Sequence, residues 1–363
     1  MKGKGFFDEE FRLEKLSRLG DSLEKLNERI DWELFRPIVE GVFPKKVAEK
    51  GGRPPFDYVL MFKILILQRL NNIADDKTEF LINDRLSFQR FLGLRQSDTV
   101  PDAKTIWNFR EQIVKAQVAE KLFDLFGEQL ETEGMITHTG SIIDATFVDV
   151  PKQRNTREEN KTIKEGKIPE NWKEDEKVKE GEMPLSDREK ARRRHKLAQK
   201  DTDARWTKKN NETHYGYKNH PKVDAESKLI IKSVGSNAAV HDSQKIVELV
   251  DEKDEVVYAD SAYVGEELHA QIKEKNPKVE LKIHEKSCRN KPLTEEQKKS
   301  NNEKSKTRVR VEHVFGFMTN SMNGISLRCI GNLRAECAMT LINLAYNLSR
   351  YVYLRKIGFG NAI

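Results

Sequence analysis

Asp144 closes the apolar run Ile142-Ile143, and Asp260 closes the run Val256-Val257-Tyr258-Ala259. Each is a carboxylate at the point where a buried strand would leave a sheet, and ligands of open α/β sheets gather beyond the carboxyl ends of the strands. Two acids within a few ångströms of each other there would repel and take up a proton unless a cation held them, so a divalent metal is the natural third party. A third acid, Glu312, lies in Arg308-Val-Arg-Val-Glu-His-Val-Phe-Gly-Phe, a helical stretch whose apolar face is Val311, Val314, Phe315 and Met318. Arg308, four residues earlier, shares the face of Glu312 and can pair with that carboxylate or reach a phosphate beside it. The same spacing is also that of an ordinary exposed ion pair.

The elements that must position these residues come in two kinds. Up to about residue 134 the apolar residues recur at three- and four-residue spacing between turn residues: Leu23, Leu26 and Ile30 after Asp21-Ser22; Val59, Phe62, Ile64, Leu67 and Leu70 after Pro54-Pro55; Ile106, Phe109, Ile113, Val114 and Leu122 after Pro101-Asp102. This predicts an all-α N-terminal domain over 1–134. Five short β-branched and aromatic runs follow, at 141–148, 213–223, 229–234, 256–259 and 279–283. With helical patterns near 243–250, 308–318 and 334–354, they predict an α/β domain over 135–363 built on a mixed five-stranded sheet with flanking helices. Between the first two runs, 32 of the 60 residues from 151 to 210 are charged and 11 are apolar. Such a segment buries too little to offset its ordering entropy, which predicts a flexible or helical charged insertion. Its basic knot Arg192-Arg-Arg-His-Lys could touch phosphates or simply face solvent.

The 363 residues suit about two domains. The longest apolar runs, 58–62 and 64–67, are far short of a membrane span, and Asp8, Glu9 and Glu10 arrive before any secretory apolar region could form. A soluble intracellular protein is expected. Three cysteines, Cys288, Cys329 and Cys337, give no disulfide framework, and with His284 they match no common zinc spacing. No Gly-rich phosphate loop is present, which removes support for nucleotide hydrolysis. The net charge of +6 favours an acidic partner only weakly.

Several motifs in one order resemble a DDE transposase of a bacterial insertion sequence, in the insertion-sequence-five group. Gly52-Arg-Pro-Pro-Phe-Asp, Leu86-Ser-Phe-Gln-Arg-Phe-Leu-Gly-Leu and Val100-Pro-Asp-Ala-Lys-Thr-Ile-Trp-Asn-Phe-Arg resemble that group's helical leader domain. Ile143-Asp-Ala-Thr resembles the first acidic motif, Tyr215-Gly-Tyr-Lys-Asn-His the strand after it, Ala259-Asp-Ser-Ala-Tyr the second acidic motif, and Arg308 with Glu312 the third. The resemblance implies an RNase H-like sheet domain in which Asp144, Asp260 and Glu312 bind two Mg²⁺ or Mn²⁺ ions and Arg308 assists. It implies binding of the element's terminal inverted repeats, cleavage to free 3′-hydroxyls and strand transfer to target DNA, by a homo-oligomer on double-stranded DNA in the bacterial cytoplasm at the nucleoid, with no membrane. The wider family carries a tyrosine and a lysine or arginine where this chain has Ser305 and Thr319. An inactive or domesticated descendant that only binds DNA is the alternative.

For DNA contacts, the basic residues Lys104 and Arg110 on one predicted helix suit major-groove or backbone contact, with dimerisation the competing use of the helical domain over 1–134, and Lys218 and His220 share a strand with Tyr215 and Tyr217. Trp206 would stack on a base or anchor the insertion, and Trp107 reads as core or interdomain packing. Asp149, at an odd offset from Asp144, points to the other face of the strand, and Asp242 reads as a helix N-cap.

Overall fold

Among the described residues eight α-helices come first: α1 (Asp8–Leu19), α2 (Ser22–Arg29), α3 (Arg36–Gly41), α4 (Tyr58–Asn71), α5 (Asp75–Asp84), α6 (Leu86–Leu92), α7 (Ala103–Ala116) and α8 (Ala119–Thr132). The structure is a computed structural model that describes residues 8–43, 54–150, 154–172, 186–209, 211–287 and 292–360; Gly52, Arg53 and Cys288 lie outside them. The helix ends follow local chemistry. The Asp57 carboxylate accepts from Leu60 N–H at 2.9 Å to start α4, and Asp102 accepts from Thr105 N–H to start α7. Asn72 and Gln117 end the same two helices in the left-handed region. The helices close on an aromatic centre in which Phe35 meets Phe62 at 4.9 Å and Trp32 meets Phe91 edge-on at 5.5 Å.

The sheet contains seven strands, four of its six pairings antiparallel: β1 (Ser141–Ile143), β2 (Thr146–Asp149), β3 (Arg205–Lys209), β4 (Glu212–Asp224), β5 (Ile230–Asn237), β6 (Val256–Ala259) and β7 (Glu280–Ile283). Five were expected, and the difference has two sources. β1 and β2 share one register along β4: Ile143 faces Lys222 and Thr146 faces Asn219, so the pair is one line interrupted at Asp144 and Ala145. The same register sets Asp144 opposite Pro221, which has no N–H to give to a ladder. The second source is β3, which comes from within the charged insertion and pairs with β4 beside β5. Its sequence Arg-Trp-Thr-Lys-Lys is too charged to read as a strand. On the other flank β6 lies parallel to β1, and β7 parallel to β6.

Besides β3, the described parts of the insertion contain two helices, α9 (Arg157–Lys164) and α10 (Asp187–Ala198), and buried polar bonds tie the residues flanking them, Asn155 and Asp201, to β4 and β3. Tyr217 donates to the Asp201 carboxylate at 2.9 Å, Tyr215 donates to Asn155, and Trp206 Nε1 donates to Asn155 O. Trp206 is thus an anchor. Arg192 and Arg194 of the basic knot are exposed on α10.

The remaining helices are α11 (Ile246–Leu249), α12 (Glu266–Lys275), α13 (Glu295–Gly316) and α14 (Asn332–Lys356). α11 and α12 cover one face of the sheet with Ile246, Leu249 and Ile272 packed on Ile143, Val257 and Ala259. α13 begins well before the expected 308, because its first half is almost wholly polar and carries no apolar period. α14 is buried on most sides and packs both on the N-terminal helices α4 and α8 and on β5, so one apolar cluster runs from Leu23 to Leu354. Its polar grips are specific: Asn347 exchanges two hydrogen bonds with the Ile230 backbone at 2.8 and 2.9 Å, and Asn343 pairs with Asn219. No helix among the described residues is long and apolar enough to cross a membrane.

Candidate active site

The parallel registers decide where the acids meet. Ser141 faces Val257 and Ile142 faces Tyr258, and the same offset carried to residue 144 falls on residue 260. Asp144 and Asp260 therefore leave neighbouring strands side by side, at the roughly 4.8 Å spacing of a sheet. Burial, with a smaller push from the Asp260 charge, holds the Asp144 carboxyl above the usual carboxylate range, while Ala145 N–H and Arg308 pull the other way. Asp260 turns one oxygen inward to accept from Ala262 N–H at 2.7 Å.

α13 crosses this end of the sheet and brings the third acid by way of Arg308. Its guanidinium donates to Asp144 Oδ2 at 3.0 Å and to Glu312 Oε1 at 3.1 Å, while its buried Nε has no partner. The i,i+4 pair is present, and the same guanidinium also ties the helix to the sheet, as does Lys304, which donates to Ile283 O. Asp144, Asp260, Glu312 and Arg308 thus share one end of the sheet. No group of three His, Cys, Asp or Glu side chains among the described residues is close enough to hold a metal ion, since the guanidinium lies between two of the carboxylates.

Four further residues belong to this neighbourhood. β6 and β7 pair Ala259 with Ile283, so the next position sets His284 beside Asp260. Burial and the nearby Arg308 and Lys304 charges lower the proton affinity of His284, against Asp260. Its signal in the sequence was its place at a strand end, equivalent to that of the two aspartates, but a charged strand preceded it. Ser305, at the family's tyrosine position, has its hydroxyl 3.3 Å from His284 Nε2 and donates to Asn301 O. Tyr263 is buried, its hydroxyl has no partner among the described residues, and burial together with Asp144, Asp242 and Asp260 pushes its pKa far up. Lys209, at the end of β3, stabilises the Asp144 charge and sits 3.7 Å from Asp242. Thr319 is exposed on the π-helical turn Phe317–Ser321.

Residues 136–348 match the family described as Transposase DDE domain, well over half of the chain. The chain belongs to the DDE transposase family. Residues 11–112 of the transposase also match a family described as Transposase domain (DUF772), which covers most of the N-terminal helices. Among solved structures the chain is similar to a piggyBac transposase synaptic complex with hairpin DNA, determined by cryo-electron microscopy. The identity is 12%, over 94% of this chain and 75% of that one, with a TM-score of 0.40. A likeness of that size has no bearing on the chemistry.

The transposase keeps two of the four expected DNA contacts away from its surface. Lys218 is buried, donating to Val240 O and to Asp242 Oδ1, both at 2.7 Å. His220 is fully buried against Ser236 Oγ at 2.8 Å. Both expectations are corrected: alternation along β4 gave the face each side chain shares, but β4 is paired on both edges and covered on both faces. Asp242 is corrected too, since His241 is the cap and Asp242 is a buried counter-charge to Lys218. Asp149 is exposed, as the odd offset required. On the helical side Lys104 is exposed, and Arg110 is half-buried in a two-pronged pair with Asp75, both bonds 2.7 Å. Trp107 is not core; it is 45% exposed.

Burial pushes the His220 pKa down to about 4 from its ordinary 6.5. The unfolded chain then binds more protons between those values, so stability present above pH 6.5 is lost as pH falls through 4. Urea unfolding at pH 6.5 and 4.5 should show an acid loss of about 2 kcal/mol. The loss should shrink in His220→Gln; an equal loss in both proteins would contradict the assignment.

Proposed function

We propose that this protein is the transposase of a bacterial insertion sequence of the insertion-sequence-five group. It binds the element's terminal inverted repeats, cleaves the DNA to free 3′-hydroxyls, and joins those ends to target DNA. The observation that carries the reading is the parallel register that sets Asp144 beside Asp260, with Glu312 tied to Asp144 through Arg308. The strand arrangement, antiparallel on one flank of β1 and parallel on the other, supports an RNase H-like sheet domain over 135–363 after a helical DNA-binding and dimerisation domain over 1–134.

The donor set fits a hard divalent cation, because it consists of carboxylate oxygens alone and one of them, on Asp144, is desolvated and pressed by a like charge. In this reading Asp144, Asp260 and Glu312 hold Mg²⁺ or Mn²⁺, two ions, which when bound supply deprotonation of the attacking hydroxyl or water and stabilisation of the leaving oxygen. Arg308 keeps the Asp144 and Glu312 carboxylates from being left as bare neighbouring charges, and once it turns from Glu312 its fork suits a phosphate. Lys209 and His284 flank the acids as donors toward a phosphodiester. The buried Tyr263 forms the floor and keeps water from beneath the carboxylates. Lys104 contacts the DNA backbone from the helical half. Two DNA ends cut in concert require at least a dimer on DNA, working at the bacterial nucleoid.

The test is cleavage of a labelled duplex carrying the element's end, with Mg²⁺ or Mn²⁺, by the wild type and by Glu312→Ala. Metal-dependent cuts at the end, lost in the variant while end binding persists, are expected. Binding without cuts by the wild type would instead identify a DNA-binding descendant.

A further inference from the structure

A second cluster of charge lies on the helical side, away from the carboxylates. The C-terminus of α4, the start of α5, α7 and residues 328–329 enclose a cleft of about 490 Å³. Four cations line it, Arg69, Lys104, Arg110 and Arg328, against two acids, Asp75 and Asp76.

The acids neutralise only part of this charge. Asp75 is fully engaged by both terminal nitrogens of Arg110 and by Gln68. Asp76 stands exposed at the rim. Among the described residues Arg328 bonds only to neutral groups, the side-chain and backbone oxygens of Asn72 at 2.6 and 2.9 Å. Arg69 makes no hydrogen bond through its side chain among the described residues, and its Nε is wholly buried without a partner. The Cys329 thiol beside it supplies no negative charge, since burial holds it protonated.

An arginine cannot shed its proton, so Arg69, whose Nε is cut off from water without a partner and whose side chain lines the cleft, is left with its charge to be met by an acceptor from the cleft. Its planar fork matches a phosphate better than any point charge does. The half-exposed indole of Trp107 lines the same cleft and offers a flat apolar wall next to the cations. We infer that this cleft is a phosphate-binding subsite, with Arg69 as its central donor, and that its occupant is a backbone phosphate of bound DNA. The subsite follows from the unpartnered Arg69; the identity of the occupant rests on the transposase reading above.

The experiment uses the full chain and two arms. In the first, thermal melting is compared in inorganic phosphate and in chloride at equal ionic strength, for the wild type and for Arg69→Met. Phosphate should raise the melting temperature of the wild type by a few degrees, as a ligand that binds only the folded state does. Arg69→Met should melt no lower than the wild type in chloride and should lose the phosphate response. In the second arm, duplex affinity is measured against salt concentration. The slope of log affinity on log salt should fall by about 0.9 in the variant, the value for one phosphate contact. If Arg69→Met does not fold, Arg328→Gln carries both arms.

A phosphate response that persists in both variants overturns the subsite. A response that is lost while the DNA slope is unchanged overturns DNA as the occupant and points to a free phosphate compound. The first arm contains no DNA and no metal, so its result is independent of whether the carboxylate site cuts DNA.

Discussion

Asp260→Asn is expected to remove DNA cleavage by at least about a thousandfold, about 4 kcal/mol of barrier, while leaving the affinity for the element's end nearly unchanged. The substitution is nearly isosteric, and the remaining side-chain oxygen can still accept from Ala262 N–H, so the turn after β6 is kept. What is lost is one negative charge beside Asp144. That loss has a second signature. The raised proton affinity of Asp144 means that its contribution to stability is present at low pH and is lost as pH rises through the raised value. Without the Asp260 charge the ionised Asp144 is less strained, so the metal-free variant should melt at or above the wild type at pH 7. A merely structural Asp260 would give the opposite, a less stable protein with weakened binding. Divalent metal should raise the melting temperature of the wild type and not of the variant. More than a tenth of wild-type cleavage in the variant would remove Asp260 from the chemistry.

Lys222→Met is expected to give the largest stability loss, about 3–5 kcal/mol, for a reason unrelated to DNA. Lys222 is 1% exposed on β4 and pairs with Asp251 and with the fully buried Asp254 at 3.0 Å. Asp254 also accepts from Ser141 Oγ at 2.7 Å and from Asp251 N–H at 2.9 Å. Methionine fills much the same volume but leaves the Asp254 charge without a cation. Urea titrations should show a lower midpoint with an unchanged slope. Adding Asp254→Asn should recover a large part of the loss, and a double variant as unstable as the sum of the singles would rule out the pair as the cause. Because Ser141 begins the strand that ends at Asp144, the single variant should also lower cleavage through disorder of β1 rather than through the acids themselves.

The parts of the molecule that could be read in the sequence are those where one local pattern decides the outcome. Asp144 and Asp260 stood out because each ends a short apolar run, and the strands they end are adjacent and parallel. The five β runs and the helices after Pro54-Pro55 and Pro101-Asp102 were legible for the same reason, alternation or a turn signal beside a periodic apolar face. β3 and the first half of α13 were not, since they are strand and helix held by neighbours rather than by their own apolar period. His284 entered the site through a register between β6 and β7, and a register is a property of two segments. Lys218 and His220 were misread because polarity along a strand does not say whether other layers cover it; here Asp242 and Ser236 supply partners inside the protein. Arg69 was hidden in a helix whose other residues are nearly all apolar, and its lack of an acceptor appears only in three dimensions.

The helix α14 sets a condition on when the protein comes into being. The last helix of the chain supplies one wall to the N-terminal helices and another to β5. During synthesis the helical half therefore waits with an open core until residues 332–356 have left the ribosome, although its own residues were made first. A message that stops before residue 332 yields neither half in finished form. In the reading proposed above, truncated copies of the gene would then produce no stray protein able to occupy the element's ends and obstruct the complete one.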